Sequence, residues 1–231
     1  MRSKRKQPPK AVTTSTPQSY ALIAFYPILV LTLVLWLLYR TLFDFPVWFD
    51  EIFGKALFFG FPVWLYITIS GFKVITDSFA PYKIQSGLLL GIAAGGIFGF
   101  TTSIVSLFQT GAPVESVWLL SSDRFWQEFM LALFTGFWET ILFYSFVMTV
   151  IQEKYPKWPV LNQSLLTAGI ALLFYIPNAF SRFDPVTALG QLFLLFLFAL
   201  GQAYLFQSRH NGYALVLSHA IWGMVLLTHS W

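Results

Sequence analysis

Residues Phe129–Ile151 read FMLALFTGFWETILFYSFVMTVI. At 1.5 Å per residue such a run crosses the roughly 30 Å hydrocarbon layer of a bilayer. It carries one carboxylate near its middle, Glu139. A charged side chain at that depth costs at least about 2.5–3.5 kcal/mol, so it faces the interior of a helix bundle and has a partner there. The run excludes a soluble fold. It also sets the question for the rest of the chain, which is what the other segments bring to Glu139.

Apolar runs of about twenty residues recur along the sequence. They predict seven spans at Tyr20–Tyr39, Ala56–Ile75, Ile84–Leu107, Phe125–Ile151, Ser164–Phe180, Pro185–Phe206 and Gly212–Thr228. The chain is 57% hydrophobic and 10% charged, against about 25% charged in soluble domains. The fold class is therefore all-α, a polytopic transmembrane helical bundle. It divides into a basic tail at 1–19, predicted disordered, three N-terminal spans within 20–124, and a core of four spans within 125–231. The first apolar run is longer than the apolar stretch of a secretory signal, and no small-residue cleavage site follows it, so it is read as an uncleaved span. There are no cysteines, which excludes disulfides, a thiol nucleophile and palmitoylation. The net charge of +4 sits mostly in the first ten residues and is no nucleic-acid signal. Membrane lipids are the expected surroundings, in the plasma membrane if the source is a prokaryote.

Lys and Arg in the loops predict orientation. With the N-terminus cytoplasmic, the inner segments hold Arg2, Lys4, Arg5, Lys6, Lys10, Lys73, Lys83, Lys154, Lys157 and Arg209. The outer ones hold Arg40, Lys55, Arg124 and Arg182. Without the tail the split is nearly even, so the tail decides it. In the third span Gly87, Gly91, Gly95 and Gly99 recur every fourth residue, with Gly96 beside them. Such a bare helix face admits a neighbouring backbone, within one chain or between two. Pro27, Pro62 and Pro177 each remove a backbone donor within a span and predict kinks. No internal repeat is visible.

The other polar residues within the spans are Thr140, Tyr144, Asn178, Gln191, Gln202 and His219. Alternating span direction puts Glu139, Asn178 and Gly223 about 17–21 Å from the cytoplasmic face, with His219 about 10 Å in, so all four can share one layer. A buried Glu beside a buried His is either a proton-active pair or a hydrogen bond that only joins two helices, and the residues alone leave both open. No H-E-x-x-H, G-x-S-x-G or phosphate loop occurs, so neither a metal nor a cofactor is expected.

Glu139-Thr140-Ile141-Leu142-Phe143-Tyr144, then Phe174-Tyr175-Ile176-Pro177-Asn178, then His219-Ala220-Ile221-Trp222-Gly223 resemble the three motif blocks of the CAAX protease and bacteriocin-processing (CPBP, or ABI) intramembrane proteases. That family pattern is E-E-x-x-x-R, F-x-x-x-H and H-x-x-x-N, and the resemblance extends over about Phe125–Thr228. It implies a CAAX-protease-like core. Glu139 stands at the general-base position, His219 at an oxyanion position, and Asn178 where a water-activating His is usual. These are the candidate catalytic residues. Thr140 replaces the second Glu, Tyr144 the Arg and Gly223 the oxyanion Asn, and these are the candidate substrate-binding positions. Asn cannot take up a proton as His can, and losing one oxyanion donor costs about 10²–10³ in rate. The resemblance thus implies a non-cleaving or weakly active homologue that binds a membrane-anchored or prenylated peptide, or a partner membrane protein. The alternatives are an active CAAX-type endopeptidase using Glu139 and a proton-coupled transporter.

Overall fold

The computed structural model of the chain describes residues 17–110 and 123–228. Its helices are α1 (Pro17–Leu42), α2 (Val47–Ser70), α3 (Ile84–Thr110), α4 (Phe125–Lys154), α5 (Val160–Arg182), α6 (Pro185–Arg209) and α7 (Gly212–Thr228). The first six are long and apolar enough to cross a membrane, and α7 is a shorter apolar helix. Among the described residues there is no strand. The molecule is a polytopic helical bundle, as the apolar runs predict. The expected disordered tail lies outside the described residues up to position 16. Residues 17–19, placed in that tail by the sequence, form the first turn of α1 instead. Pro17 suits a first turn, where a missing N–H breaks no bond.

The second span is displaced from its predicted bounds. It begins at Val47 rather than Ala56 and ends at Ser70 rather than Ile75. Asp50, Glu51 and Lys55 give its first turns the hydropathy of a loop, yet Asp50 and Lys55 are buried. They enter the bundle because opposite charges there neutralise one another. The helix stops at Gly71, whose φ of 67° lies in the left-handed region that glycine enters without a Cβ clash. The chain then turns through short 3₁₀ segments, Lys73–Phe79 and Pro81–Lys83. The first tucks against α4, where Ser78 and Ser145 share a 2.8 Å hydrogen bond.

Cross-chain hydrogen bonds define the two ends of the bundle. At one end, Tyr26 meets Tyr155 (2.5 Å), Lys154 donates to the Leu22 carbonyl (3.3 Å), Lys83 to the His210 carbonyl (2.7 Å), and Tyr213 to the Phe79 carbonyl (2.8 Å). At the other end, Tyr39 donates to Asp50 (2.5 Å) and Arg40 to Asn178 (3.1 Å).

The glycine face of α3 lies against α7. A Cβ added at Gly91 would sit 2.8 Å from Leu217 Cβ and 3.0 Å from the Ala214 carbonyl oxygen, and one at Gly95 would sit 2.8 Å from Ile221 Cβ. The face is thus a seam within one chain. Gly96 points away, with nothing within 4 Å of an added Cβ. Gly136 lets α4 approach α7 in the same way, its added Cβ falling 2.9 Å from the Val216 carbonyl oxygen and 3.1 Å from His219 Cβ. That approach brings Glu139 and His219 together. Both α2 (Asp50–Gly54, Ala56–Gly60) and α4 (Thr140–Met148) contain π-helical turns. Such wide turns change which side chains face inward and often accompany functional sites.

Candidate functional site

Glu139 is 2% exposed and sits near the midpoint of α4. Lys55 of α2 donates to Glu139 Oε1 at 2.6 Å, and the Tyr175 hydroxyl of α5 donates to Oε2. His219 Nε2 of α7 lies 3.6 Å from the same Oε2, beyond hydrogen-bond reach. Lys55 Nζ also lies 2.5 Å from Glu51 Oε2, which accepts a further hydrogen bond from Thr135 at 2.6 Å. One ammonium thus bridges two carboxylates from two helices. A lone buried ion would cost several kcal/mol, and partners of this kind offset that cost.

A second ionic cluster lies above the first. Arg40 pairs with Asp50, Tyr39 donates to Asp50 Oδ1, and the remaining Arg40 nitrogen donates to Asn178 Oδ1. The side-chain oxygen of Asn178 is therefore engaged. Between the two clusters is a cavity of about 210 Å³. Its charged and polar walls come from Arg40, Glu51, Lys55, Glu139, Asn178 and His219. Its apolar walls are Trp36, Phe59, Phe174 and Trp222, with Leu195 and Leu226. Hydrogen bonds hold two of the indoles in place: Trp36 Nε1 to the Phe174 carbonyl (3.0 Å) and Trp222 Nε1 to Thr102 (2.9 Å). Phe198 stacks on Trp222 at 3.8 Å and meets the His219 ring edge-on at 5.2 Å, which fixes the imidazole's orientation.

Four of the six residues singled out by sequence line this one cavity: Glu139, Asn178, His219 and Gly223. Thr140 and Tyr144 do not. Both are buried; the Thr140 hydroxyl has no hydrogen-bond partner, and the Tyr144 hydroxyl reaches the Ala199 carbonyl only at 3.5 Å. Gln202 donates to Ser218 (2.8 Å) and joins α6 to α7 away from the cavity. Sequence reasoning missed Arg40, Asp50, Glu51, Lys55 and Tyr175. With Thr140 and Tyr144 in place of a Glu and an Arg, the charged partners around Glu139 come from α2. The signal was the spacing of Glu51 and Lys55, an i,i+4 pair that can enter a span as a neutralised unit. Among the described residues, no group of three or more His, Cys, Asp or Glu could hold a metal ion.

Residues 121–225 match the model of a protein family described as type II CAAX prenyl endopeptidase Rce1-like. No curated protein matches the chain, and no solved structure does.

Proposed function

Starting from a membrane bundle whose residues 121–225 match the family model of the Rce1-like type II CAAX prenyl endopeptidases, we propose that this protein binds a membrane-anchored peptide in its cavity without cleaving it. The observation that carries the reading is the engagement of Glu139. A general base must present a free lone pair within about 2.6–3.2 Å of the water proton it takes. Here an ammonium takes one lone pair of one carboxylate oxygen and a phenol one of the other, so about half of the acceptor sites of Glu139 are filled and a water must compete with two held donors. Asn178, at the position of the second water-activating group, is tied to Arg40. Gly223 has no side chain to stabilise an oxyanion. An acid–base group contributes about 10²–10⁴ and an oxyanion donor about 10²–10³ in rate, so the combined deficit leaves little cleavage.

The cavity retains what binding needs. Aromatic walls surround it, and fixed hydrogen-bonding groups stand at its floor and rim, the usual make-up of a ligand site. Its volume suits a large apolar side chain or a short length of chain. An active endopeptidase is the second reading, favoured by the meeting of Glu139 and His219 in one cavity, and it would require Lys55 to release Glu139. The proposed orientation has the N-terminus in the cytoplasm, following the loop charges.

The test of binding uses purified protein with a farnesylated peptide and its unfarnesylated counterpart, read by quenching of tryptophan fluorescence. Saturable binding is expected. It should be lost in Gly223→Trp, which fills the cavity. Equal binding by a folded Gly223→Trp variant would place the ligand elsewhere and sink the proposal.

A further inference from the structure

The cavity has a direction. Helix rise places Glu139 about 21 Å from the start of α4, Lys55 about 12 Å from the start of α2, Asn178 about 6 Å from the end of α5 and Arg40 about 3 Å from the end of α1. Every one of these distances is measured toward the end of the bundle where Tyr39, Arg40, Asp50 and Asn178 meet. Side-chain exposure is 3% at Glu139 and 7% at Lys55, and nearer that end it is 7% at Asp50, 16% at Arg40 and 23% at Glu51. The cavity therefore runs from mid-bundle to the end opposite the start of α1.

The structure also changes the charge asymmetry. Lys55 and Arg40, counted from sequence among the outer loops, lie within spans and line the cavity. Among the described residues, the cavity end then keeps only Arg124 and Arg182 as basic residues outside it. The opposite end has Lys73, Lys83, Lys154, Lys157 and Arg209. This contrast no longer depends on the basic N-terminal residues Arg2, Lys4, Arg5, Lys6 and Lys10. Lys and Arg accumulate in cytoplasmic loops.

We infer that the cavity opens to the extracytoplasmic side of the membrane, and that its ligand is a membrane-anchored peptide segment presented from that side. The inference rests on the cavity being a ligand site, as proposed above, but its test does not depend on cleavage.

The chain has no cysteine, so single cysteines report accessibility directly. Asp44→Cys lies on the exposed connection at the cavity end, and Lys157→Cys on the exposed turn at the other. Gly223→Cys probes the cavity wall, where an added Cβ meets only Ala132 Cβ at 3.8 Å, so the fold accommodates it. Leu226→Cys is a second wall probe. Intact cells are treated with a membrane-impermeant maleimide, and permeabilised cells show the total. Asp44→Cys and a wall probe should label in intact cells, with Lys157→Cys labelling at least tenfold more after permeabilisation. The reverse pattern at Asp44 and Lys157 would overturn the inference. Labelling at Asp44 with both wall probes protected, although reactive once the protein is denatured, would also overturn it, since the cavity would then be closed to that side. Peptide cleavage by the purified protein would contradict the binding reading and leave this one standing.

Discussion

Glu139 keeps its place in the middle of a membrane span because Lys55 holds it. The ammonium serves Glu51 as well, so removing it leaves two carboxylates facing one another. Lys55→Met should therefore destabilise the protein by about 3–5 kcal/mol, the usual cost of breaking a buried pair from one side. Thermal unfolding in detergent measures it. Adding Glu139→Gln should recover part of the loss, and strictly additive costs would show that the two groups are not coupled. The same pairing governs attempts to restore catalysis. Asn178→His with Gly223→Asn supplies a proton acceptor and an oxyanion donor, yet Lys55 still occupies Glu139. That double variant should give no peptide product, and adding Lys55→Gln should give product that depends on Glu139. Product from the double variant alone would show that Lys55 does not disable the base.

The α3–α7 seam fixes where His219 stands, since α7 also carries the imidazole to Glu139. Gly91→Leu or Gly95→Leu drives a side chain into Leu217 or Ile221, and overpacking of this kind costs about 1–3 kcal/mol. Both variants should lower the unfolding temperature, while Gly96→Leu, which points into open space, should not. Equal behaviour of all three would mean that the seam tolerates separation. This glycine face was legible in the sequence because its spacing of four matches one side of a helix, although sequence could not say that the partner was α7. Glu139, Asn178, His219 and Gly223 were legible through motif spacing on three spans. Residues on α2 were not, because hydropathy scores each charge singly: Asp50, Glu51 and Lys55 look too polar for a span until their partners on α1 and α4 are known. Tyr175 stands inside a motif block but at a position the block leaves free, and only the fold turns its hydroxyl toward Glu139.

At the scale of the bundle, the paired charges within the spans gather toward one end. Toward the basic end α4 buries Leu142, Phe143, Phe146, Val147 and Val150 together with Tyr144, Ser145 and Thr149, and toward the other end the cavity descends to Glu139. The family model that residues 121–225 match is one of endopeptidases, and here Glu139 is tied to Lys55 and Tyr175, and Asn178 to Arg40. The most direct measurement is peptide cleavage by the purified wild-type protein in lipid nanodiscs, on prenylated and unprenylated peptides, beside Glu139→Gln. The expected result is no product above the Glu139→Gln background at enzyme and peptide concentrations where binding is saturated. Robust cleavage by the wild type that vanishes in Glu139→Gln would contradict the account, because Lys55 would then be a partner in catalysis rather than a lock on the base.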